Sequence, residues 1–252
     1  MTFTPRDLVF KFIGRTIPHR WLPREARNPL TRRLFFLSDK PAYLTTREVF
    51  HGADALLDDA MRARLADAAV RQARSEIVST WESPEILFDY AVAIGATTMV
   101  ELGTRGCNST QALVRAASQT GGHVYSFDPM APSGTIDPRY HRHWTFHQCT
   151  GEEGYASWDR TRPVDLLFVD TDPHSYEQTA MWLRDHWIRS VRGGGLVLFD
   201  DAAAWIEFFG VNRACREFVE QNRHRLRFAV LEACRPPAGG LFVIQLAEPI
   251  PA

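Results

Sequence analysis

From Thr97 onward, runs of consecutive apolar residues alternate with stretches in which apolar positions recur every three or four residues. The first pattern predicts buried strands at about 97–102, 123–127, 144–149, 164–170, 195–199, 226–231 and 241–246. The second predicts helices at about 109–118, 152–159, 176–191 and 203–222. Strands and helices taking turns in this way require crossover connections. The expected fold is therefore α/β, a doubly wound, mostly parallel seven-stranded sheet with helices on both faces. Only the 232–240 turn separates the last two strands, too little for a helical crossover, so the final strand should run antiparallel.

The first ninety or so residues follow a different pattern. Pro5, Pro18, Pro23, Pro29 and Pro41 divide short basic and aromatic pieces, and a long helical pattern then runs from about Ala53 to Thr80. Within it Ala55, Leu56, Met61, Leu65, Ala69 and Ala73 fall near one face, which predicts packing on the sheet domain or on another subunit. We divide the chain into a basic, helical cap or oligomerisation region at 1–82 and a Rossmann-like domain at 83–252. A homo-oligomer, a dimer or higher, is expected.

With 252 residues, 45% of them hydrophobic and 23% charged, the chain suffices for one substantial α/β domain with an appendage. A formal net charge of -1 provides no global field for nucleic acid, although Arg and Lys outnumber Asp and Glu in the first forty residues. Cys107, Cys149, Cys215 and Cys234 show no paired spacing, which argues against a zinc knuckle or disulfide framework and suits the cytoplasm. No apolar run approaches the roughly 20 residues of a membrane span, and Lys11 splits the apolar Leu8 to Ile13 stretch, so neither a transmembrane segment nor a signal peptide is expected.

The chemistry concentrates where strands end. Met99 to Thr110 reads as a strand breaking into a glycine turn and opening a helix. Gly103 and Gly106 can take backbone angles closed to other residues, and Asn108 or Ser109 can cap the helix. Such a turn offers N–H groups to a polar ligand. Its spacing is not Gly-x-Gly-x-x-Gly, and Glu101 stands two positions before the first glycine, which favours an amino-acid-bearing nucleoside over a pyrophosphate. Asp128, Asp170, Asp200 and Asp201 fall at the ends of later strands, where ligands of open parallel sheets collect. His141, His143 and His147 are too loosely spaced for a metal site and read as loop and edge-strand histidines. Trp205, Phe208 and Phe209 could wall an acceptor pocket.

Four segments together, 100–109, 126–128, 165–177 and 193–201, resemble the class I S-adenosylmethionine-dependent methyltransferases over Ser83 to Leu246. The narrower resemblance is to metal-dependent small-molecule O-methyltransferases related to catechol methyltransferase and to macrolide-sugar and cephalosporin-tailoring enzymes. It implies an enzyme that methylates a hydroxyl of a small metabolite or natural product. Gly103, Thr104, Arg105 and Gly106 would lie along the methionine part of the cofactor, with Glu101 near its ammonium and Ser109 near its carboxylate. Asp128 would hold the ribose hydroxyls, and Thr150 and Gly151 the adenine rim. Asp170, Asp200 and Asp201 would hold Mg²⁺, with Asp170 also facing the cofactor. Catechol-type enzymes carry a lysine base soon after the first metal aspartate; the loop here reads Asp170-Thr171-Asp172-Pro173-His174, which makes His174 the candidate base beside Asp170. The alternatives are an NAD-linked Rossmann-type oxidoreductase and a non-catalytic nucleotide-binding scaffold.

Overall fold

Successive residues of a strand point to opposite faces, and the strands here use both faces for burial. Met99, Leu166, Phe168, Leu196 and Leu198 enter one hydrophobic core, whereas Val100, Leu102, Leu167, Val169, Val197 and Phe199 enter the other. In the computed structural model, residues 47–52, 58–77, 83–202, 209–232 and 240–251 are described. Their strands are β1 (Arg47–His51), β2 (Thr98–Leu102), β3 (His123–Phe127), β4 (Trp144–His147), β5 (Val164–Val169), β6 (Val191–Phe199), β7 (Leu226–Glu232) and β8 (Leu241–Leu246).

These strands form one sheet in the order β1-β7-β8-β6-β5-β2-β3-β4. Neighbours from β6 through β4 pair in parallel, and β8 lies antiparallel between β6 and β7. The mostly parallel, doubly wound sheet with an antiparallel last strand is thus observed, but with eight strands rather than seven. The additional strand, β1, comes from within 1–82 and pairs antiparallel with the outer edge of β7.

The helices are α1 (Asp59–Ala66), α2 (Ala68–Ser75), α3 (Ser83–Ala93), α4 (Asn108–Thr120), α5 (Gly151–Ser157), α6 (Tyr176–Arg184) and α7 (Phe209–Asn222). Residues of α2, α3 and α4 cover one face, and residues of α6 and α7 the other. The single helix expected at 53–80 is broken at Asp67, whose extended backbone and side chain cap α2 by accepting from the N–H groups of Ala69 and Val70. The break turns Val70, Ala73 and Ile77 into the core and leaves Ala69 exposed. Positions 53–57 and 78–80 of that pattern lie outside the described residues, as do Trp205, Phe208, Cys234 and the proline-punctuated segment up to residue 46. The helix expected at 176–191 stops at Arg184, and a 3-10 turn at Trp187–Ser190 leads directly into β6.

At the amino ends of the parallel strands Asp165 acts as a pin. Its Oδ2 accepts from the Thr97 N–H at 2.7 Å, the Thr97 hydroxyl at 2.8 Å and the Thr98 N–H at 2.8 Å, while Oδ1 accepts from Arg192. The entry to β2 is thereby tied to β5 and β6, and the glycine turn at the far end of β2 inherits that placement.

Candidate active site

The carboxyl ends of β2, β3 and β5 are stitched together by main-chain hydrogen bonds. The Gly103 N–H donates to the Phe127 carbonyl at 2.9 Å, and the Asp170 N–H donates to the Leu102 carbonyl at 2.8 Å. Gly103 has φ +90°, and a Cβ there would stand 1.9 Å from the Asp170 carbonyl oxygen, so glycine is required on both counts. Gly106 does not take the left-handed angle expected of it. Arg105 (φ 40°) and Cys107 (φ 60°) take it instead. The close approach at Gly106 falls on its partner, Gly134, where a Cβ would lie 2.1 Å from the Gly106 carbonyl oxygen.

Neither Asn108 nor Ser109 caps α4. Cys107 occupies the cap position without a side-chain hydrogen bond to the helix end, and the Ser109 hydroxyl donates instead to Glu101 Oε1 at 2.7 Å. Glu101 has no exposed surface. Thr110 donates to both of its oxygens and Ser126 to Oε2 at 2.5 Å, and Trp144 Nε1 in turn donates to Ser126 at 2.9 Å. Burial pushes the Glu101 carboxyl up to about 7, against the pull of these hydroxyls. Residue type alone does not single out Thr110 or Ser126; Ser126 is the in-register partner of Glu101 on β3, so parallel pairing is the signal that points to it.

Asp128, nearly buried, accepts at Oδ2 from the N–H groups of Thr104 (2.8 Å) and Arg105 (3.3 Å), and at Oδ1 from Met130 (2.8 Å). It therefore anchors the glycine turn to the end of β3. Thr150 caps α5 in a capping box with Glu153. Gly151 is packed so closely on Trp182 that a Cβ would stand 2.8 Å from the indole, and its carbonyl accepts from Trp187 Nε1 at 2.8 Å.

Across the turn, three carboxylates converge on His174. His174 Nε2 lies 3.3 Å from Asp170 Oδ1 and 3.4 Å from Asp201 Oδ2, while Nδ1 lies 3.3 Å from Asp172 Oδ1. His174 and Asp201 both have left-handed backbones, with φ 53° and 52°. Burial of the imidazole opposes its protonation, but the hydrogen bond to Asp170 and the charges of Asp201, Asp170 and Asp172 outweigh it and raise the pKa above the usual value. Burial likewise raises Asp201, with His174 pulling the other way. Asp172 also faces Arg105 at 3.7 Å, a bridge between two exposed side chains.

The group whose ligand atoms lie within 4.8 Å of one another is Asp170, His174 and Asp201. Asp200 is not among them; it lines a small pocket with Val169, Thr171, His174 and Gln178. Among the described residues this is the single such group. His141 and His143 bond instead to backbone carbonyls of Ile136 and Gly122, and His147 stacks on Phe127. His141 and His143 lie in a 3-10 turn at Pro138–His143, and His147 ends the edge strand β4.

Residues 100–202 match a family model described as a methyltransferase domain. No curated protein sequence matches the chain. In fold the chain is similar to cofactor-bound Rv0187 from MTB, with 20% identity, TM-score 0.50, and coverage of 76% of this chain and 91% of that one. It is similar as well to the O-methyltransferase TomG from Streptomyces achromogenes, solved with SAM, with 15% identity, TM-score 0.50, and coverage of 77% and 93%. The methyltransferase reading of the motifs is borne out, and neither alternative is favoured.

The matched stretch begins within β2 and ends one residue after Asp201, so it contains the glycine turn, Asp128 and the Asp170, His174 and Asp201 group. The carboxylates of Asp170 and Asp201 offer oxygen donors that fit a hard divalent cation, with the His174 imidazole beside them. The α7 helix, which covers one side of the group, lies beyond the domain match.

Proposed function

We propose that the chain is an S-adenosylmethionine-dependent O-methyltransferase that methylates a small hydroxylated metabolite with the help of Mg²⁺. One observation carries the reading: Gly103, in the turn suited to the cofactor, touches the backbone of Asp170, the first member of the polar group. Donor and acceptor sites therefore adjoin.

On this reading Gly103, Thr104, Arg105, Gly106 and Ser109 border the methionine part of the cofactor, with Glu101 behind them. Asp128 faces the ribose, and Thr150 and Gly151 the adenine. Asp170 and Asp201 would hold the cation, with Asp200 beside them. When bound, the cation supplies charge that lowers the pKa of an acceptor hydroxyl. His174 accepts the hydroxyl proton at Nε2, and Asp172 keeps its other nitrogen occupied. Methyl transfer asks the protein for alignment and a proton acceptor, which this arrangement provides. Residues 83–252 form the catalytic unit, and 1–82 mainly serve as a cap or oligomer contact. The unpaired thiols of Cys107, Cys149 and Cys215 support a cytoplasmic setting. Among the described residues no helix is long and apolar enough to cross a membrane.

Two measurements test this. Chelation followed by dialysis should abolish methyl transfer from S-adenosylmethionine, and added Mg²⁺ should restore it; full activity in chelator removes the cation from the mechanism. His174→Ala should lower turnover about 10²- to 10³-fold while calorimetric affinity for S-adenosylhomocysteine stays unchanged. Undiminished turnover would remove His174 as the base.

A further inference from the structure

The amino end of α7 meets the active site without slack. A Cβ at Gly210 would come within 2.7 Å of the Tyr176 nitrogen and 3.2 Å of the His174 carbonyl oxygen, so the helix rests directly on the backbone that carries His174. Two residues on, Asn212 is 2% exposed and donates from Nδ2 to the Ala202 carbonyl at 2.8 Å. The Ala202 N–H donates to the Gly240 carbonyl at 3.0 Å, so the residue after Asp201 is held at both of its backbone polar groups. One turn further, Glu217 accepts from the Tyr176 hydroxyl at 2.5 Å and from Arg213 at 2.8 Å.

His174 and Asp201 both stand at left-handed angles that non-glycine residues keep only when their surroundings impose them. One helix touches the flank of each. We propose that Asn212, with Gly210, is a positioning residue of this methyltransferase: from α7 it sets the spacing between His174 and Asp201 without touching a ligand. The proposal rests on the proposed role of those two residues, and it places a determinant of the site outside the matched domain, which ends at residue 202.

The full chain, labelled with ¹⁵N at histidine, tests it in Asn212→Ala and in Asn212→Asp, which keeps the shape and loses the donor. Long-range ¹H–¹⁵N spectra read the His174 ring, assigned by its loss in His174→Ala. Paramagnetic resonance reads Mn²⁺ binding, and calorimetry reads S-adenosylhomocysteine. In either Asn212 variant the His174 ring resonances should move and Mn²⁺ affinity should fall about tenfold, with S-adenosylhomocysteine affinity unchanged. Gln245→Ala, which removes a comparably buried amide donor to the Gly194 carbonyl (2.9 Å) at the amino end of β6, should leave the ring resonances in place. His174 signals that overlay wild type in the Asn212 variants, or that move as far in Gln245→Ala, overturn the proposal. Wild-type protein that binds no Mn²⁺ removes the cation from the proposed function and leaves the ring resonances to decide the role of Asn212.

Discussion

Gly103→Ala should lose cofactor binding and roughly 4 kcal/mol of stability, the sum of a left-handed backbone penalty and an overpacked contact. At φ +90° the new Cβ would stand 1.9 Å from the Asp170 carbonyl oxygen and 2.8 Å from its carbon. Asp170 cannot retreat, because its N–H is bonded to the Leu102 carbonyl immediately before the glycine. Relief therefore requires β2 and β5 to part at the end where the site is built. Gly95→Ala is the matched control: its φ is +65° and nothing lies within 4 Å of the place its methyl would take, so only a conformational cost of about 1 kcal/mol is expected. Urea midpoints of the two variants decide the matter. Equal losses would show that the contact with Asp170 is unimportant.

Much of this architecture was legible because the central strands are buried on both faces and carry short continuous apolar runs, Leu166 to Val169 of β5 and Leu196 to Phe199 of β6 above all. The strand β1 was not legible. Its Val49 and Phe50 sit among polar neighbours, and what makes the segment a strand is the open edge of β7. The break at Asp67 was written in the residue type but masked by helical spacing on either side.

In the site, the sequence placed acids at the strand ends yet could not choose between Asp200 and Asp201. Two consecutive residues normally diverge, and a left-handed angle at Asp201 determines which one meets His174 and Asp170. The same limit applies to the glycine turn, where Arg105 and Cys107 rather than Gly106 hold the unusual angles. Backbone handedness at non-glycine residues leaves only a weak mark in residue type, an enrichment of Asp, Asn and His that does not separate Asp200 from Asp201.

Glu101→Gln should stabilise the ligand-free protein at alkaline pH and weaken cofactor binding. With its carboxyl raised from the ordinary 4.5 to about 7, Glu101 stays protonated in the folded protein through a window where the unfolded chain has already ionised. Across that window the folded state holds more protons, so stability falls as pH rises from the unfolded value and levels off above about 7. The full shift corresponds to roughly 3 kcal/mol, from which poorer hydrogen bonding of the amide to Ser109, Thr110 and Ser126 must be subtracted. Urea denaturation should then show the variant ahead of wild type at pH 8.5 and level with it or behind at pH 5.

Binding should move in the opposite direction. A cationic ammonium placed before the Ser109 and Glu101 pair favours the ionised carboxylate, and that gain is absent in the amide. Affinity for S-adenosylhomocysteine should fall about 10- to 100-fold, whereas 5′-methylthioadenosine, which lacks the amino acid, should bind both proteins alike. Wild-type affinity for S-adenosylhomocysteine in Glu101→Gln would separate the buried carboxylate from cofactor recognition and leave it as the hydroxyl-bonded core of the turn.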